Sequence, residues 1–244
     1  MEVYTLFIKE EIIKDRITLF FDVSSREQLF LKQDEYIQLN KKNIIIYKIR
    51  YKQLCLRYDI KLISNFFDML PSKYQNLLRL KYEQCYSLSK IALTLSISKS
   101  GIITMNNKMI QCLTKLMFCD VHNLFIKDTS YDMLLVSLNL LFILQNKIKA
   151  EIKYLLRNNI YVDVSYDYLK SLYKKDKKLM AVQKIVDEEI NGMDNSEKDI
   201  LLYKINNPFE HISNISHRYN IPEGKIKKLL YRFRDNIIEQ INHL

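Results

Sequence analysis

Glycine and proline are nearly missing from this chain. Three of each occur among 244 residues, and there is no tryptophan. Tight β-hairpins draw on glycine for positive φ and on proline for turn geometry, so a protein built from many short strands is excluded and helices are expected. The four cysteines, Cys55, Cys85, Cys112 and Cys119, have irregular spacings and no Cys-x-x-Cys pair. That removes a disulfide framework and fits reduced thiols in a cytoplasmic protein. Cys112, Cys119 and His122, taken with Cys85, match no finger spacing, so no metal is expected. The opening Met1-Glu2-Val3-Tyr4 lacks the blocks of a signal peptide, and the acidic pair Glu10–Glu11 comes early, so no export is expected. The most apolar stretch, Leu134 to Leu144, is interrupted by Ser137 and Asn139. It falls short of the roughly 20 residues that cross a bilayer and reads as a buried helix, with no membrane partner. No Ser/His/Asp arrangement, phosphate loop or paired-acid motif stands out, so neither an enzyme nor a cofactor is expected.

What the chain does have is apolar residues (48%) and basic charge, 38 Lys and Arg against 28 Asp and Glu, a formal net charge of +10. A chain of this length and apolar content buries one large core or two modest ones. The charge favours a polyanionic partner, nucleic acid or an anionic surface.

Set against itself at an offset of 124 residues, the sequence repeats. Leu77 and Leu78 meet Leu201 and Leu202. Further on, Leu88, Ile91, Leu95, Ile97, Ile102, Met105, Met109 and Leu113 meet Ile212, Ile215, Tyr219, Ile221, Ile226, Leu229, Phe233 and Ile237. Amphipathic helices match one another by period alone, but here the period also breaks and restarts at the same place in both copies. The break falls at Leu95-Ser96-Ile97-Ser98 and at Tyr219-Asn220-Ile221-Pro222. Ser96 and Asn220 suit a turn, Ser98 caps a following helix, and Pro222 suits a helix's first turn. Five residues before each break-point isoleucine stands a small side chain, Ala92 or Ser216, which lets two steeply crossed helices approach. The expectation is a short helix, a tight turn and a longer helix, twice.

The longer helix of the second copy carries an apolar stripe, Ile226, Leu229, Leu230, Phe233 and Ile237. Its other face reads as basic, with Lys225, Lys227, Lys228, Arg232 and Arg234 against Glu223 alone. Such a face suits phosphates flanking a groove. The first copy is less basic, with Lys99, Lys108 and Lys115. It is expected to expose Ser100, Thr104, Asn106 and Asn107, whose amides and hydroxyls hydrogen-bond base edges.

Leu70-Pro71-Ser72-Lys73-Tyr74-Gln75-Asn76-Leu77-Leu78-Arg79-Leu80-Lys81-Tyr82, followed by Ser87-Leu88-Ser89-Lys90-Ile91-Ala92 and Ile97-Ser98-Lys99-Ser100, resembles the C-terminal helix-turn-helix domain of bacterial sigma factors and of regulators built on the same unit. The segment from Met193 through Ser196-Glu197-Lys198 to Ile221-Pro222-Glu223-Gly224-Lys225-Ile226-Lys227 looks like a second member of that group. The resemblance covers about 50 residues per copy. It implies that the helix after the turn enters the major groove while the preceding helix braces the backbone. Carried over by position, Lys99, Ser100, Ile103, Thr104 and Lys108 would face DNA in the first copy, and Glu223, Gly224, Lys227, Lys228 and Arg232 in the second. Asn107 and Lys225 complete the expected contact set. Ile103 is apolar where sigma factors usually present a polar or basic residue, and Ser96 replaces the frequent turn glycine or acid.

The expected architecture is therefore all-α: two tandem helix-turn-helix units at 61–118 and 191–244, joined by a helical connector at 119–190. An N-terminal subdomain at 1–60, with the run Ile44-Ile45-Ile46-Tyr47, is expected to hold either a short β element or a small helical subdomain. The expected function is a sequence-specific regulator of transcription that binds double-stranded DNA, with two unlike half-sites about one DNA turn apart. Rival expectations are a sigma-like factor that binds RNA polymerase, a homodimer, and a protein-interaction inhibitor on the same scaffold.

Overall fold

The structure, a computed structural model, describes residues 2–40, 43–118, 124, 131–162 and 165–243. Cys119 and His122 lie outside the described residues. Among the described residues there are eleven α-helices and no strand: α1 (Glu2–Phe21), α2 (Val23–Leu39), α3 (Ile45–Met69), α4 (Ser72–Leu78), α5 (Leu88–Leu95), α6 (Lys99–Phe118), α7 (Tyr131–Val162), α8 (Tyr166–Asn191), α9 (Asn195–Asn206), α10 (Ile212–Tyr219) and α11 (Glu223–Asn242). A π-helical turn, Arg79–Glu83, follows α4. The expected all-α class is what the chain adopts, without the β element. Ile45, Ile46 and Tyr47 open helix α3, and Ile44 is its N-cap. A run of β-branched residues favours a strand only where a pleated surface exists to receive it. Here Ile46 is buried in a helical core while Ile44 and Ile45 remain exposed.

The chain divides into two units, Met1–Phe118 with Asn146–Tyr173, and Cys119–Gln145 with Lys174–Leu244. The break after Phe118 coincides with a boundary read from the sequence, while no break falls at 60 or at 190. In the first unit residues 1–60 are not a separate subdomain: α1 packs on α3, on α6 and on the π turn. Ile13 and Ile17 are fully buried, and Phe20, Phe21 and Phe67 form an edge-on aromatic cluster with centroids 4.8–5.7 Å apart. The later part of α7 joins this unit through Ile152, Leu155 and Val162, which cluster with Leu172 against Tyr47 and Tyr51.

Beside that cluster lies a buried polar network. Lys147 donates to Asp59 Oδ1 at 2.6 Å, and Arg16 Nε stands 3.4 Å from Asp59 Oδ2. Tyr51 and Tyr168 both donate to Glu151 Oε2, at 2.8 and 3.2 Å. Burial pulls the Lys147 ammonium down, but Asp59 and Glu151 outweigh it and hold it raised. Burial first, then the Glu151 charge, pushes the Cys55 thiol up to about 12. Because the folded value lies above that of an unfolded thiol, the folded state keeps its proton longer. The resulting stability is complete below about pH 9 and is lost as the pH rises toward 12. Urea unfolding followed from pH 8.5 to 10 is expected to show stability falling by up to about 1 kcal/mol per pH unit, with a flatter slope in Cys55→Ala.

The second unit is built on the apolar start of α7, where Leu134, Leu135, Leu140 and Leu141 are buried, as expected of that stretch. The helix containing it is longer than the sequence indicated, 32 residues with non-helical φ/ψ at Asn158. Asp132–Asn158 is long and apolar enough to cross a membrane, but 61% of its most apolar window is buried inside the protein. Asn139 donates to the Ile205 carbonyl at 3.2 Å, tying α7 to the end of α9. Asn236 of α11 donates to Glu189 of α8 at 2.8 Å.

Candidate nucleic-acid interface

The 124-residue repeat persists in the backbone. Helix α5 maps onto α10 and α6 onto α11 with all four pairs of ends at that same offset. The residue between the helices is left-handed in both copies, Ser96 at φ 53, ψ 42 and Asn220 at φ 52, ψ 44. The next amide reaches back five residues, Ile97 to the Ala92 carbonyl at 3.0 Å and Ile221 to the Ser216 carbonyl at 3.2 Å. This is the hydrogen bond that closes a helix end through a left-handed residue. Ser216 adds its hydroxyl, which donates to the Ile221 carbonyl at 2.7 Å. Alanine 92 has no counterpart to that bond. Below the turns the cores correspond: Leu77 and Leu201, Ile91 and Ile215, Ile102 and Ile226, and Leu113 and Ile237 are all buried.

The left-handed turn predicts a difference between the copies. A side chain in this conformation costs about 1–2 kcal/mol unless it is glycine or, to a lesser degree, asparagine. Ser96→Gly is expected to stabilise the protein by up to about 1 kcal/mol, and Asn220→Gly to change it by less than half of that. Chemical denaturation of the two variants checks both values.

The copies close the approach to the shorter helix differently. In the first, the π turn ends with the Tyr86 amide on the Leu80 carbonyl at 2.9 Å, with Cys85 left-handed at φ 53. In the second, the position matching Leu80 is Lys204, a buried lysine that donates to the carbonyls of Pro208 and Glu210, both at 2.7 Å. Burial holds the Lys204 ammonium below its usual range. A lysine at a position that reads as apolar core gave no signal in sequence.

The outward face of α6 and α11 carries the expected contact residues. Lys99, Ser100, Thr104, Asn107 and Lys108 are exposed on α6, and Glu223, Lys225, Lys227, Lys228 and Arg232 on α11, with Gly224 beside them. Two side chains depart from expectation. Asn106 is 3% exposed and accepts a hydrogen bond from Tyr82 at 3.2 Å, so it belongs to the core and presents nothing outward. Arg234 is half-buried beside Asp235 at 3.2 Å and does not share the basic face. Both sit four residues beyond a buried or half-buried neighbour on the helix, on the flank where an amphipathic wheel leaves the face ambiguous.

Charges on the two faces are arranged differently. On α11, Lys227 pairs with Glu223 at 3.2 Å and Arg232 with Glu197 at 2.6 Å. Lys225 and Lys228 have no acidic partner among the described residues. Residues 84–118 contain Lys90, Lys99, Lys108 and Lys115 and no Asp or Glu at all. The first copy is nevertheless more apolar outside: Leu93 is 82% exposed and Ile103 40% exposed, where the second has His217 and Lys227. Leu93 helps to line an open groove of about 510 Å³ with Ser89, Ala92, Ser96, Ile97 and Lys99. No family model, curated protein or solved structure matches this chain.

Proposed function

We propose that the chain is a sequence-specific, double-stranded DNA-binding regulator of transcription that uses two tandem helix-turn-helix units of the sigma-factor C-terminal type. The observation that carries this reading is the twice-repeated frame, a short helix, a left-handed residue and a twenty-residue helix, with a cationic outward face in each copy. Lysines gathered on the outward side of the second helix, with no Asp or Glu at all in residues 84–118 to balance those of the first copy, support a polyanionic partner. In this reading α6 and α11 enter the major groove. Lys225, Lys228 and Arg232 hold phosphates, as do Lys99 and Lys108, while Ser100, Thr104 and Asn107 reach base edges. The protein acts in the cytoplasm, without cofactor or catalysis. Because the two faces differ in sequence, the preferred site is asymmetric and bipartite.

Selection of bound sequences from a random duplex library at two salt concentrations tests this directly. One enriched bipartite motif is the expected result. Salt-sensitive retention without a motif would reduce the role to phosphate binding, and absence of retention would remove DNA from the function.

A second reading is favoured by one observation, the exposed Leu93 and Ile103 on the first copy. In this reading the first unit grips RNA polymerase as a sigma-like factor and only the second touches DNA. Co-purification with polymerase that is lost on Leu93→Lys would place it first.

A further inference from the structure

We propose that Tyr231 is a specificity-determining residue that reads a thymine in the major groove, its ring packed against the C5 methyl group. The inference rests on the DNA-binding reading above and assigns a base to one side chain of that surface.

Tyr231 is 55% exposed on α11. At ~100° per residue, Gly224, Lys227, Lys228 and Tyr231 fall within about 100° of arc, so the tyrosine stands on the midline of the outward face. Its hydroxyl has no hydrogen-bond partner among the described residues. Tyr82, by contrast, is engaged with Asn106, and Tyr203 lies beneath the Arg218 guanidinium at 4.4 Å. Two turns before Tyr231, on nearly the same line, Gly224 leaves open space: a β-carbon built there meets nothing within 4 Å. The face therefore offers a notch at its start, lysines one turn along, and a broad apolar ring beyond them. Lysines attract the phosphates and the notch lets the duplex approach. The ring, flat and apolar with little entropy to lose, then has the thymine methyl as its apolar complement in the groove. The matching residue of the first copy is Asn107, an amide suited to adenine rather than to a methyl group, so the two units read different bases at equivalent positions.

The test uses the full chain and the duplex enriched by selection, with each thymine replaced in turn by deoxyuracil, which differs only in lacking the methyl group. Wild-type affinity is expected to fall about fourfold at one position, the effect of roughly one buried methyl group. Tyr231→Ala is expected to bind the thymine and uracil duplexes equally there, and Tyr231→Phe to keep the discrimination. Helical content by circular dichroism should be unchanged in both variants, since the side chain takes no part in the core. Equal discrimination by wild type and Tyr231→Ala at every thymine overturns the assignment and leaves DNA binding standing. Wild-type protein that discriminates at no thymine also overturns it. Failure of the wild type to retain any duplex at low salt removes the DNA-binding reading and the assignment together.

Discussion

Alanine in place of both Lys225 and Lys228 is expected to reduce duplex affinity about eightfold per lysine between 1 M and 0.1 M salt, and to flatten the dependence of log K on log salt by about 2. Among the described residues these are the cations of α11 that no carboxylate neutralises, whereas Lys227 and Arg232 each hold an acid within 3.2 Å. A phosphate that recruits Arg232 competes with Glu197 and gains less, so Arg232→Ala alone should move the slope by less than 1. Removing the competitor sharpens the contrast: Glu197→Gln is expected to raise affinity at low salt. Filter binding or fluorescence anisotropy across a salt series measures all four proteins. An unchanged slope in the double alanine variant would take α11 out of the interface.

The largest expected effect on stability lies elsewhere, in the network around Asp59. Lys147→Met leaves Asp59, 8% exposed at its side chain, with the Arg16 guanidinium at 3.4 Å as its one cation among the described residues. Breaking a buried pair on one side costs about 3–5 kcal/mol, because a desolvated charge loses its partner. Pairing the change with Asp59→Leu should recover most of that loss, since apolar side chains of similar volume replace a buried ion pair at little cost. Urea unfolding at pH 7 of the two single variants and the double variant closes a cycle whose coupling energy is expected to reach at least 2 kcal/mol. If Lys147→Met unfolds within 1 kcal/mol of wild type, the network is hydrated and contributes nothing to the fold.

How much of this was legible in sequence follows from the range of each interaction. The repeat was, because its signal is local: the spacing of Ile91, Ile97 and Ile102, and of Ile215, Ile221 and Ile226, depends on neighbours within two helical turns. The turn residues Ser96 and Asn220 were legible for the same reason, and so was the exposure of the residues expected to face DNA. Sequence left strand and helix both open around Ile44–Tyr47, because β-branched propensity is settled only by the core that α1 and α3 build together. The Asp59–Lys147 pair spans 88 residues and the Tyr51–Glu151 pair 100, and no periodic pattern reports such partners. Asn106 and Arg234 failed for a subtler reason: each lies on the flank of its helix, where a neighbouring element decides whether the side chain is covered.

The matching of helix ends across the repeat means that the outward residues are interchangeable cargo on a common chassis. Grafting Glu223, Gly224, Lys227, Lys228, Tyr231 and Arg232 onto positions 99, 100, 103, 104, 107 and 108 touches no side chain that the first core buries. A chain carrying the same lettering twice would fold as this one does, and on the proposed reading it would trade an asymmetric target for one in which a single word is written two times.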